Sequence, residues 1–290
     1  RDRAKGLLRR SIASLEGDDP IGVVSKAAAQ GNLATLLQQE GKLDEALAIH
    51  QELYETFAAL DGKQQVAVAL SSMASIYMNQ GNIDQAIEHE ERSMVLEKER
   101  GNEEGQAISL HQLSILYRRK EEYETALARS QAAEALARKV GNQALVATTL
   151  HEQGLIYNEM ARAAGGDEGG EYRKTAVSRF QDSLTIKRRI GNESGAASTL
   201  GELGKLLLDA GQMDEAIAAF NEALATYRKL GDPVKSGIVL EFLGSVHEQQ
   251  GQYAAALAKF REALAILEHV GAVREAANNR RHIARVQGKM

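Results

Sequence analysis

Cysteine and tryptophan are absent from the 290 residues, and proline occurs only twice, at Pro20 and Pro233. A chain without cysteine forms no disulfide and no thiolate metal site, which fits a reducing, cytoplasmic setting. The formal net charge of -5 gives no global electrostatic case for nucleic acid. No run of about eighteen apolar residues is present, so no membrane span is expected. The first residues, Arg1-Asp-Arg-Ala-Lys, lack the apolar core of a signal peptide. They also lack an initiator methionine, which points to a segment of a longer protein. Catalytic patterns are missing as well: there is no phosphate loop, no Gly-x-Ser-x-Gly elbow, no His-Glu-x-x-His and no cysteine nucleophile. No enzyme, cofactor or metal site is therefore expected.

What the chain does have is a repeat. The stretch Gly211–Gly231 reads as one amphipathic helix between glycines, with Ala216, Phe220, Ala223, Leu224 and Tyr227 on a single face. Forty residues on, the pattern returns as Ala256, Phe260, Ala263 and Leu264. Glycines at Gly41, Gly81, Gly211 and Gly251 mark turns inside helical hairpins. A second series, Gly101, Gly141, Gly191, Gly231 and Gly271, falls between hairpins, with Asp61-Gly62 as its first member. The step is forty except from Gly141 to Gly191, which is fifty. The excess sits at residues 161–174 around Gly165-Gly-Asp-Glu-Gly-Gly170 and reads as a mobile turn extension.

Each unit holds two helices, A and B. Helix A carries a leucine column (Leu70, Leu110, Leu150, Leu200, Leu240) beside a small-residue column (Ala34, Ala74, Ser114, Gly154, Gly204, Gly244). Helix B opens on Ala46, Ala86, Ala126, Ala176, Ala216 and Ala256, and continues with Phe180, Phe220 and Phe260. Small residues let paired backbones approach while large ones fill the adjoining grooves, and Gly204 is expected to face Ala216. A buried leucine contributes roughly 1.5–3 kcal/mol, too little to hold one hairpin alone, so hairpins stack.

The columns Leu200, Leu203, Gly204, Leu207, Ala216, Phe220 and Ala223 resemble the tetratricopeptide repeat. The forty-residue period and the turns Gly101-Asn102, Gly141-Asn142, Gly191-Asn192 and Gly231-Asp232 are similar to a longer form of it. That form occurs in kinesin light chains, Pins-type scaffolds, bacterial peptide-pheromone receptors and sensor arms of signalling ATPases. The resemblance implies an all-α, right-handed α-solenoid of helix-turn-helix repeats. Its divisions are an N-terminal capping helix and loop (1–23), six repeats (24–270, insertion at about 161–174) and a C-terminal capping helix (271–290).

In that family the inner surface is lined by helix A, which nominates His111, Arg118, Arg119, His151, Asn158 and Lys205 as peptide or protein contacts. The basic spot at Arg118 and Arg119 suits a partner segment with acidic residues. His111 and His151 share one helix A position, but no further ligands accompany them, so they are not read as a metal site. The Lys/Asn/Arg clamp of chaperone-binding members is not reproduced at Gly31, Asn32 and Thr35, nor at Ser71, Ser72 and Ser75. Basic clusters ending helix B, such as Lys187-Arg188-Arg189, are read as complementing the helix dipole. Phe220 and Tyr227 are read as core. The expected function is a protein-interaction module within a larger signalling or regulatory protein. The alternative is a regulatory arm on an attached protease, NTPase or DNA-binding effector. Partner identity and oligomeric state stay open.

Overall fold

The structure, a computed structural model, describes residues 2–14 and 20–290. Fourteen helices and no strand occur among them. Residues 1–142 form one compact unit and residues 143–290 a second.

Unit 1 contains α1 (Asp2–Ser14), α2 (Pro20–Gln39), α3 (Leu43–Ala59), α4 (Lys63–Gln80), α5 (Ile83–Glu99), α6 (Glu103–Arg119) and α7 (Tyr123–Lys139). The expected first helix is present as α1, with Leu8 and Ile12 packed on Leu33 and Leu37. Most of the expected loop after it lies outside the described residues. From α2 on, A-type and B-type helices alternate, and each of α2 to α6 packs on the one before and the one after.

Unit 2 contains α8 (Gln143–Ala164), α9 (Gly166–Arg189), α10 (Glu193–Asp209), α11 (Met213–Lys229), α12 (Pro233–Gln249), α13 (Tyr253–His269) and α14 (Val273–Gln287). The extra residues near 165 do not form the expected mobile turn. They lengthen both helices of one hairpin, to 22 residues in α8 and 24 in α9. Arg162, on the extra turn of α8, reaches Asp209 at 2.7 Å.

The turns follow the chemistry of the repeat. A left-handed residue ends each hairpin turn, and it is glycine at most of them because a side chain there is strained. Two turns break the rule: Asp61, rather than Gly62, takes φ of 51°, and Glu121 takes φ of 65°. Asn102, Asn192 and Asp232 cap the next helix by accepting the backbone N–H three residues on, at 3.2, 2.8 and 3.0 Å. Asn142 donates to Glu104 at 2.8 Å.

Core packing confirms the leucine and alanine columns: Leu70, Leu150, Leu240, Ala46, Ala126, Ala216 and Ala256 are buried. Phe220 and Tyr227 are core residues. The partner of Gly204 is different from the one expected. A methyl group placed on Gly204 would lie 2.6 Å from the ring of Phe220, so the ring, and not Ala216, fills its space. Gly154 with Phe180 and Gly244 with Phe260 repeat that contact at the same distance. On α14 the buried stripe is Ala276, Asn279 and Val286, with Ile283 half-buried, while Arg280 is exposed and pairs with Glu268. This stripe meets both neighbours: Asn279 donates to Glu241 of α12 at 2.7 Å, and Val286 packs with Ala256 and Phe260 of α13.

Candidate functional site

Three of the expected contacts lie in unit 1, all on α6. His111 is buried, at 7% exposure, Arg118 is half-buried and Arg119 is exposed. The hydroxyl of Ser114 donates to the carbonyl of His111 at 2.7 Å, which anchors this turn of the helix. Arg118 and Arg119 follow one another at the end of α6, where cations also complement the helix dipole.

Beneath this face the helix B column of unit 1 is polar. Counting back along the column of Phe180, Phe220 and Phe260, by fifty across the insertion and then by forty, gives Ser130, Glu90 and His50. All three are buried. Burial lowers the pKa of His50, and its Nδ1 has no hydrogen-bond partner. Burial pushes the carboxyl of Glu90 above the usual carboxylate range, opposed by hydrogen bonds from Ser109 and Ser71. Two turns further on, Glu97 is also buried, and its Oε2 accepts from Asn102 at 2.6 Å and Arg100 at 2.8 Å.

The other three expected contacts lie in unit 2. His151 stands against the Phe180 ring, with centroids 5.4 Å apart, and its Nδ1 is 3.2 Å from the hydroxyl of Thr199. Asn158 is buried, at 8% exposure. Lys205 pairs with Glu202 at 2.8 Å and lies 4.8 Å above the ring of Phe242, which itself stacks on Phe220. His151 and Lys205 are thus engaged by their own unit, and Asn158 is buried in it. His111 and His151 fall in different units.

A residue absent from the expected set completes the picture. Lys187 turns inward from α9, at 6% exposure, and donates to Thr199 Oγ1 at 2.8 Å. Burial pushes its amine down to about 8. It occupies the column of Tyr227 and Leu267, which is why it points into the core. Its neighbours behave as helix-end cations: Arg188 pairs with Glu222, and Arg189 donates to Gln143 at 2.6 Å. Among the described residues, no group of three or more His, Asp or Glu side chains is placed to hold a metal ion. No described helix is long and apolar enough to cross a membrane.

The family model of the tetratricopeptide repeat matches residues 25–96, 65–139, 174–229 and 195–269, well over half of the chain. The residues it passes over, between 139 and 174, belong largely to the lengthened α8–α9 hairpin. Among solved structures the chain is similar to BtubC from P. vanneervenii, at 19% identity and a TM-score of 0.63, over 81% of this chain and 92% of that one. It is similar to a Rap protein complexed with competence and sporulation factor, at 12% identity and 0.63, over 94% and 77%. A signal-transduction ATPase with a tetratricopeptide repeat sensor from Pyrococcus horikoshii aligns at 16% identity and 0.64, over 98% of this chain and 43% of that one. Identities this low speak for the fold alone. No curated protein matches the sequence.

Proposed function

We propose that this chain, which belongs to the tetratricopeptide repeat family, is a protein-interaction module whose helix A faces hold a peptide or protein segment. Repeats of this family are in general non-catalytic binding modules. The observation that carries the finer reading is the basic end of α6. Arg119 is exposed and makes no hydrogen bond or ion pair with the described residues, and half-buried Arg118 adjoins it. Two adjacent guanidinium groups suit a carboxylate-bearing segment, since each presents a planar fork of donors. His111 lies two helical turns before them on the same helix. Of the contacts nominated in unit 2, His151 and Lys205 are already engaged internally and Asn158 is buried, so the three act mainly by shaping their face.

The test is selection of peptides from a random displayed library against the intact chain. Acidic peptides are expected to be enriched, and the double charge reversal Arg118→Glu/Arg119→Glu should weaken their binding about tenfold or more. Absence of acidic enrichment, or unchanged affinity in the reversed variant, contradicts the assignment.

A second reading is that the module regulates an attached effector domain. The likeness to a sensor within a signalling ATPase, of which this chain spans 43%, favours it. The chain length of the intact gene product decides between a free module and an arm.

A further inference from the structure

Unit 1 contains a pocket of about 280 Å³ between α4, α5 and α6. Ser71 of α4 and Ser109 of α6 form opposite walls, and Glu97 and Arg100 of α5 line it, with Asn102 and Gly105 at its α6 end. Its chemistry is acidic. Glu97 is buried and its Oε1 accepts no hydrogen bond from the described residues, since Arg100 and Asn102 both address Oε2. Arg100 is further held by Gln64 at 3.0 Å. Gly105 leaves the carboxylate its room, because a methyl group there would lie 2.5 Å from Glu97 Oε2.

A second carboxyl lies behind the wall. Glu90, at 1% exposure, lies close to the hydroxyls of Ser71 and Ser109, two residues that line the pocket, and their proximity works against the effect of burial on its carboxyl. Its Oε1 has no hydrogen-bond partner. Polar atoms sealed in this way ordinarily find one, because an unmade bond costs about 1–3 kcal/mol. Glu104, whose Oε1 accepts from Asn142 at 2.8 Å, adds a second carboxylate to the lining beside Glu97, against the one guanidinium of Arg100.

We propose that this pocket receives the basic side chain, a lysine ammonium or an arginine guanidinium, of a bound protein segment. The cation donates to the open Oε1 of Glu97 and to the serine hydroxyls. Glu90 lies behind those hydroxyls, so a cation held by them stands near its carboxyl and favours its ionisation. Burial disfavours the ionised form of Glu90, and an incoming cation supplies the compensation that the fold does not. The proposal rests on the reading that the helix A face takes up a protein segment, and Ser71 belongs to that face.

Its test does not depend on acidic peptides. The intact chain is titrated with N-acetyl-arginine amide and N-acetyl-lysine amide, and with the neutral isosteres N-acetyl-citrulline amide and N-acetyl-norleucine amide, by ligand-detected NMR. At least one cation is expected to bind about fivefold or more tightly than its neutral counterpart. Glu97→Gln and Glu90→Gln, which conserve shape, are each expected to lower that affinity by about threefold or more, as is Gly105→Ala by displacing Glu97. Glu268→Gln, in unit 2, is the control and leaves the affinity unchanged. Equal binding of the cations and their isosteres, or Glu90 and Glu97 variants that bind as the wild type does, overturns the proposal. Either result leaves the acidic-peptide test of Arg118 and Arg119 standing on its own.

Discussion

One helix B column is built in opposite ways in the two units. In unit 2 it is Phe180, Phe220 and Phe260, each ring fully buried against a glycine of helix A. In unit 1 it is His50, Glu90 and Ser130, and the small residues of helix A are Ala34, Ala74 and Ser114. The pairing has a steric cause: with the ring in place there is no room for even one methyl group across from it, and with the ring gone there is. The outcome reaches beyond the column. Unit 2 holds an apolar cluster continuous from α9 to α14, whereas the described clusters of unit 1 are smaller and broken by polar side chains. Unit 2 is therefore the better-packed region. Unit 1 instead buries ionisable side chains in this column, with His50 Nδ1 and Glu90 Oε1 lacking a hydrogen-bond partner, whereas the atoms of that kind in unit 2, Arg179 Nε and Asn279 Oδ1, lie outside the column.

The contrast breaks first at the rings. Phe220→Ala is expected to destabilise unit 2 by about 3–5 kcal/mol, while Ser130→Ala at the same position in unit 1 costs less than about 1 kcal/mol, both read from urea unfolding. Next comes the glycine. Gly204→Ala should cost about 1–3 kcal/mol through overpacking, and Phe220→Leu in the same chain should recover part of it. A melting temperature equal to wild type would contradict the register.

Smaller effects test the buried charges. The amine of Lys187 sits at about 8 in the fold against an ordinary value of 10.5, so between those values the native state binds fewer protons than the unfolded chain. Stability of the wild type accordingly rises with pH across that window. Lys187→Met is expected to stabilise by about 1–2 kcal/mol at pH 7, with the gain shrinking as pH climbs toward 10.5. Glu90 has the mirror-image sign. Its carboxyl is raised, so the native state keeps a proton that the unfolded chain loses, and stability falls as pH rises above the ordinary carboxylate range. Glu90→Gln should gain about 1 kcal/mol at pH 7 and nothing at about pH 4, by thermal melts at both.

The repeat itself was legible in the sequence because leucines, alanines and glycines recur at a step set by one rigid hairpin. Gly204 was legible as a close approach, but its partner was not, since register names columns and not which side chain leans into the gap. Lys187 was misleading. A cation near a helix end ordinarily faces solvent, and only its column, shared with Tyr227 and Leu267, shows that it points inward. The same count would have exposed Glu90, which stands where Phe220 stands, and Glu97, which stands where Lys187 stands. The insertion was misread because six glycine-rich residues suggest a loop. Helical hydrogen bonding on both sides of Gly165 wins once the two helices have each other to pack against. The positions of His111, Arg118 and Arg119 on α6 follow from register, and so does the pairing of Lys205 with Glu202 on its own helix, whereas its place above Phe242 depends on a neighbour in the next repeat.

Amide hydrogen exchange of the intact chain tests the contrast between the units most directly, because it reads local stability helix by helix in one sample. The account predicts that α10 to α13 exchange last and that α4 to α6 exchange about tenfold or more faster. Equal protection of the two sets, or slower exchange in α4 to α6, would contradict it.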